Sequence, residues 1–342
     1  MTRDFASTRT FPKREKADSE RQRQKPALPD RTSRRLVGLV LVGTIGASLF
    51  LWQKEQLKAW WQTVWGPAEY EIINPEIVDT QLIRLTENLH QPSDVVASIK
   101  ELTAPLQGTY GAYVIPLEDG EPYGTNENQV FTAASVNKVL IMVRVLQAID
   151  EATLRLTETY RLQAKDIQDY GTGSLRYAAL GTSYTIDELL ALSGKQSDNT
   201  AAWVLNLMVG EDKVQELVND LGMEQTSIAE NTTTPKEMGE FFRQVYRGKV
   251  LPANLQEKFY GYLTRSDFED RIPAGLPSYV TVAHKIGTEI QTVNDCGIVF
   301  TKKHPYVVCL LSKEAKEAEA QDVLPKISHL IWVFESSKLW LR

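Results

Sequence analysis

The chain has 342 residues, 42% hydrophobic and 24% charged, with a net charge of −6. That is an ordinary globular composition, long enough for one large domain or two small ones. The charge is unevenly spread: residues 1–35 hold eleven Lys and Arg against five Asp and Glu, so the remainder carries about −12, an acidic body that argues against nucleic acid as a partner.

In chain order, residues 1–35 form a basic leader rich in Arg, Lys, Gln, Ser and Pro, a composition that favours disorder. Leu36 to Trp52, LVGLVLVGTIGASLFLW, is a stretch of 17 residues without a charge. As a helix it spans roughly 25 Å, the short end for a membrane crossing. A cleaved signal peptide is the competitor, but its apolar region is typically shorter and no convincing small-residue cleavage site follows. Arg34 and Arg35 abut the stretch and Trp52, Trp60, Trp61 and Trp65 follow it, so the expectation is a retained single-pass anchor with residues 1–35 in the cytoplasm. Residues 53–92 read as a membrane-proximal helix, Gln53 to Trp65, and a connector with a helix near Asp79–Leu89.

The main domain is expected over 93–342. Ser93 or Asp94 caps a helix to about Thr103. Tyr110 to Leu117 alternates as a strand, the Asp-Gly turn in 118–121 reverses the chain, and Pro122 to Phe131 returns. Ser135 to Gly210 reads as helical, and Thr234-Pro-Lys-Glu237 is a strong helix start. Tyr279 to Ile286 is a strand, VNDCGIVF and YVVCLLSK form a hairpin about TKKHP, and Val323 to Trp340 closes as a helix. The hairpin allows Cys296 and Cys309 to face each other, and the favoured reading is two buried free thiols over a disulfide. The four histidines lack ligand spacing, so neither a metal nor another cofactor is expected. Strands at both ends with helices between them give an α+β fold: one antiparallel sheet built from both termini of the domain, with an all-helical insertion and a cleft between them.

Three short motifs carry chemistry. FTAASVNK contains the chain's single S-x-x-K, Ser135 and Lys138, which share a helix face at i and i+3. A serine in a first helical turn feels the positive end of the dipole, and a desolvated lysine has a lowered pKa and acts as its base. The bland alternative is a snorkelling lysine. In GKQSDNTAAWVLN, Ser197-Asp198-Asn199 is either a helix cap or a set in which Ser197 relays a proton and Asn199 holds a substrate carbonyl. At a strand end, HKIGT places Lys285 as fixed positive charge and Gly287 where a substrate backbone lies close.

S-x-x-K, S-D-N and a K-x-G strand motif in this order resemble the signature of the penicillin-recognising serine enzymes. The stretches FTAASVNK, SDNTAAWVLN, NTTTPKEM, RIPAGLP and HKIGT resemble the class A β-lactamase branch, and the likeness runs from about Ser93 to Trp340. The resemblance implies a covalent acyl-enzyme on Ser135, formed with a β-lactam or a peptidoglycan stem peptide ending in D-Ala-D-Ala. It implies an oxyanion hole from the backbone N–H groups of Ser135 and Thr288, proton and charge handling by Lys138, Ser197 and Lys285, and an aromatic cleft wall at Tyr170. The expected enzyme is a monomer.

Two departures matter. Ile286 stands where the family carries Thr or Ser, a hydroxyl that holds the substrate carboxylate. No arginine occurs between Glu289 and Phe300 to compensate, so Thr288 must do more. The family's deacylating glutamate lies in an omega-shaped loop with an E-x-x-L-N run; here LGMEQTSIAENTTTP links two helices almost directly, with Glu230 the carboxylate close to TTTP. The expectation is acylation with slow turnover: a β-lactamase-like hydrolase, or a carboxypeptidase acting on cell-wall peptides. The rival from another class is a wall-binding module that keeps the fold without catalysis.

Overall fold

The computed structural model describes residues 79–337, which lie in one compact unit, Glu71–Arg342. The expected leader, the apolar stretch at 36–52, the helix at 53–65 and the end of the last helix at Trp340 all lie outside the described residues. Among the described residues no helix is long and apolar enough to cross a membrane.

Asp79 caps α1 (Thr80–Thr86), its carboxylate accepting from the Gln81 N–H at 2.9 Å. Leu82, Leu85 and Leu89 are buried in the same core as the last helix, so the domain starts before residue 93. In α2 (Pro92–Thr103) the N-cap is Gln91, and Asp94 sits at the third position and reaches back to the Gln91 N–H at 3.0 Å. Proline at the first helical position lacks a donor that would have no acceptor there, which suits a cap at Gln91, two residues before Ser93.

The central sheet has the order β2-β1-β9-β8-β7. Its strands are β1 (Thr109–Pro116), β2 (Tyr123–Thr125), β7 (Thr281–Glu289), β8 (Thr292–Phe300) and β9 (Tyr306–Lys313). All of its pairings are antiparallel, and the first and last strands of the domain meet as β1 and β9, as a sheet built from both termini requires. The return expected over 122–131 splits. β2 pairs with β1, whereas β3 (Phe131–Thr132) pairs with β6 (Thr232–Thr233).

The middle is helical: α3 (Lys138–Asp150), α4 (Ile186–Lys195), α5 (Asn199–Val209) and α6 (Glu211–Asp220). It is interrupted by the small pair β4 (Thr159–Arg161) and β5 (Ser183–Thr185), which the helical reading of 135–210 missed. α7 (Pro235–Tyr246) begins as expected, with Thr234 Oγ1 accepting from the Glu237 N–H at 3.0 Å. α8 (Ala253–Leu263) and α9 (Glu317–Ser337) complete the set.

Each face of the sheet buries its own core. One, with Cys296, Ile298 and Cys309, packs on the helical insertion around Val139, Leu140 and Phe242. The other, with Val293, Val299 and Val308, packs under α1, α2 and α9. The expectation of free thiols is corrected. Cys296 and Cys309 are directly paired residues of β8 and β9, with Cα atoms 4.0 Å apart, and form a disulfide. Facing positions in an antiparallel ladder bring the two side chains together.

Candidate active site

Ser135 lies in a 3₁₀ turn, Ala134–Asn137, that feeds α3. The turn is fixed from below. The Ala133 N–H donates to Asn231 O at 2.8 Å, and the Asn294 amide of β8 donates to Thr132 O at 2.8 Å and Ala133 O at 3.2 Å. Ala134 then takes φ 50°, a left-handed conformation that costs a non-glycine residue about 1–2 kcal/mol. Ser197 (φ 53°) and Asn231 (φ 51°) share that conformation, so strained backbone gathers around one place.

Lys138 is 9% exposed. Its ammonium donates to the carbonyl of Ser197, to Ser197 Oγ at 3.3 Å and to Asn199 Oδ1 at 2.6 Å. Burial pushes its pKa down to about 7 against the opposing pull of the Asp198 charge. A lysine poised there is half neutral at physiological pH. It is not a snorkelling side chain.

The S-D-N segment is stitched to the loop before it. Asp198 is the N-cap of α5, accepting from the Ala201 N–H at 2.9 Å, and its second oxygen accepts from the Leu175 N–H at 2.8 Å. Gly173 (φ 111°) passes so close that an added Cβ meets the Asp198 carboxylate at 2.2 Å. Asn199 donates to Tyr170 O at 2.9 Å while accepting from Lys138, so one amide side chain joins the loop to the amine.

On β7, Lys285 is 1% exposed and donates to Ile286 O at 2.8 Å. Burial first, then the charge of Lys138, push its pKa well below the usual lysine range, with Asp295 opposing. Burial thus opposes the fixed positive charge expected at Lys285. At Gly287 an added Cβ meets Ala133 O at 2.6 Å and Ala134 Cβ at 3.2 Å, so the glycine lets β7 close against the serine turn.

These elements enclose a cleft of about 950 Å³ at the edge strand β7. Ser135, Lys138, Ser197 and Asn199 line it, together with Ile286 and Thr288 from β7 and the 64% exposed Tyr170. Lys285 and Gly287 do not line it. Glu230 is exposed on a turn, its N–H donating to Ser227 Oγ at 3.1 Å, and does not line the cleft. The short segment 221–231 contributes Ile228 and Asn231 instead, neither of them a carboxylate.

One cleft residue was missed. Arg271, 3% exposed, donates through Nη2 to Thr288 Oγ1 at 2.6 Å and through Nη1 to Asn294 O at 2.7 Å and Gly287 O at 3.2 Å. It supplies the guanidinium sought in vain between Glu289 and Phe300. The signal was present, since Arg271 opens the RIPAGLP stretch. It comes from a loop rather than from a neighbouring strand position.

Residues 94–334 match the model of the β-lactamase enzyme family. The β-lactamase CARB-3 of Pseudomonas aeruginosa is 22% identical over 258 residues, covering 70% of this chain and 89% of that protein. A β-lactamase of Streptomyces lavendulae is 25% identical over 237 residues, covering 64% and 78%. Among solved structures, a mutant of PBP-A described as an acyl-enzyme complex with penicillin G superposes with a TM-score of 0.67 at 24% identity, covering 72% of this chain and 97% of that one. A β-lactamase from Sphaerobacter thermophilus superposes with a TM-score of 0.67 at 25% identity, covering 71% and 97%.

Proposed function

The chain belongs to the β-lactamase enzyme family, and from that premise we propose that it is a serine hydrolase in which Ser135 is acylated by β-lactams and released slowly. The observation that carries the reading is Lys138: buried, lowered to about 7, and bonded to Ser197 and Asn199 in the cleft that Ser135 lines. Neutral Lys138 takes the Ser135 hydroxyl proton as Oγ adds to the lactam carbonyl. The N–H groups of Ser135 and Thr288 receive the oxyanion. Lys138 then returns that proton through the Ser197 hydroxyl, 3.3 Å away, to the lactam nitrogen as the C–N bond breaks, leaving an ester on Ser135. Arg271 and Thr288 receive the substrate carboxylate, so the hydroxyl missing at Ile286 is replaced by a guanidinium.

Slow release rests on the absence of a water-activating carboxylate in 221–231, where Ile228 and Asn231 face the cleft. The same feature favours a second reading, a carboxypeptidase acting on D-Ala-D-Ala stem peptides. The uncharged stretch 36–52 holds the chain in the membrane as a monomer, with the catalytic domain outside. The Cys296–Cys309 disulfide supports that oxidising location.

A fluorescent penicillin is expected to label the full chain at Ser135, and Ser135→Ala to abolish labelling. Nitrocefin is expected to give a stoichiometric burst and then a slow steady state. An unlabelled protein returns the chain to the non-catalytic class, and fast sustained turnover overturns slow deacylation.

A further inference from the structure

Arg271 lies in the loop that joins α8 to the short turn Pro273–Gly275, and that loop is tied to the sheet through one buried side chain. His284 is 1% exposed and neighbours Lys285 on β7, its side chain on the opposite face of the strand. Its Nδ1 lies 2.8 Å from Asp295 Oδ1, and its Nε2 lies 3.2 Å from Glu269 Oε1 and 3.5 Å from Ser266 Oγ. Carboxylates only accept, so both ring nitrogens must carry a proton and the ring is an imidazolium. Its two anions hold the two ends of the loop. Asp295 Oδ2 accepts from the Ile272 N–H at 3.0 Å, and Glu269 accepts from the Ser266 N–H at 2.6 Å. Phe268, Asp270 and Arg271 are carried into the cleft between those ties.

We propose that His284 is the positioning residue for Arg271: clamped between Asp295 and Glu269, it holds the loop so that the guanidinium meets Thr288 and the substrate's carboxylate. The inference rests on Arg271 as the carboxylate receptor of the hydrolase reading. His284 touches no substrate atom. Its effect is on affinity for the anion, not on the chemistry at Ser135. The pKa of the ring is raised to about 9 by Asp295 and Glu269 against the opposing effect of burial, in keeping with the doubly bonded geometry.

The test uses the full chain in detergent, with a penicillin free acid and its neutral methyl ester, and separates the dissociation constant from the acylation rate constant. His284→Gln is expected to weaken the acid about tenfold, with its acylation rate constant within about twofold and the ester unchanged. Hydrogen exchange at 264–272 is expected to accelerate in the variant while α3 is unaffected. Glu269→Gln, at a carboxylate 43% exposed, removes the outer tie without emptying the core and is expected to give the same pattern at about threefold. Equal losses for acid and ester, a loss confined to the acylation rate, or unchanged exchange in the loop each overturn the proposal. An unlabelled wild type sinks the hydrolase reading alone, because exchange at 264–272 still decides whether His284 anchors the loop.

Discussion

Lys138 has three acceptors around its ammonium and a serine one helical turn before it, an arrangement that makes its protonation state the variable that governs acylation. Only the neutral amine accepts the Ser135 proton, so the rate constant for penicillin labelling is expected to rise with pH through about 7 and level off above it. A profile flat from pH 5.5 to 8.5 removes Lys138 from the role of base. Arg271 gives a second expectation at this scale. Its planar fork reaches a hydroxyl and two carbonyls at once, a pattern an ammonium does not reproduce. Arg271→Lys is expected to weaken carboxylate-bearing substrates by about 10- to 100-fold, or about 1.4–2.7 kcal/mol, while leaving a methyl ester nearly unaffected. A parallel loss for both substrates assigns Arg271 to folding alone. Ser135, Lys138, Ser197 and Asn199 were legible because each sits in a short pattern whose spacing already names a chemistry. Arg271 and His284 were not, because their meaning arises only when a loop folds onto strands 16 to 23 residues further along.

The strand β7 and the turn carrying Ser135 touch through Gly287, and that contact sets the width of the cleft. A methyl group at 287 lands 2.6 Å from a backbone carbonyl, a contact that no side-chain rotation relieves. Gly287→Ala is expected to push β7 away from the turn, destabilise the domain by about 1–3 kcal/mol and cut penicillin labelling by more than about tenfold. Wild-type labelling in this variant shows that the approach is not needed. The elements themselves were legible where alternation or a cap stated them: β1, the β8–β9 hairpin and the start of α7 all fall within a few residues of the expected bounds. What failed was local pattern without its partner. The return strand stops after β2 because Phe131 and Thr132 find Thr233 and Thr232 instead, a pairing about a hundred residues distant. β4 and β5 are three-residue pieces with half-exposed side chains, too short for either period to register. The thiols were misjudged for the same reason: the hairpin was visible, but the register that pairs Cys296 with Cys309 was not.

At the scale of the whole molecule, the active site and the fold pull stability in opposite directions with pH. His284 titrates near 9 in the fold against about 6.5 unfolded, so it contributes stability that is fully present below about 6.5 and lost as pH rises through about 9, about 3 kcal/mol in all. Lys138 does the reverse. Its folded pKa near 7 lies below the ordinary 10.5, so the fold bears a penalty on the order of 5 kcal/mol below pH 7 that is relieved as pH rises toward 10.5. Between about 7 and 9 the slopes from these two groups oppose each other. Lys138→Met removes the penalty and also lifts a repelling charge from Lys285. It costs Ser197 and Asn199 a donor, about 1–3 kcal/mol of lost hydrogen bonding. The variant is therefore expected to melt higher than wild type at pH 6, to lose that advantage steadily above pH 7, and to fall below wild type by pH 10, while its penicillin labelling is absent throughout. Urea unfolding at pH 6, 8 and 10 checks the sign directly. A variant less stable than wild type at pH 6 means that the ammonium of Lys138 is held for the sake of the fold, and that its position beside Ser135 carries no catalytic cost.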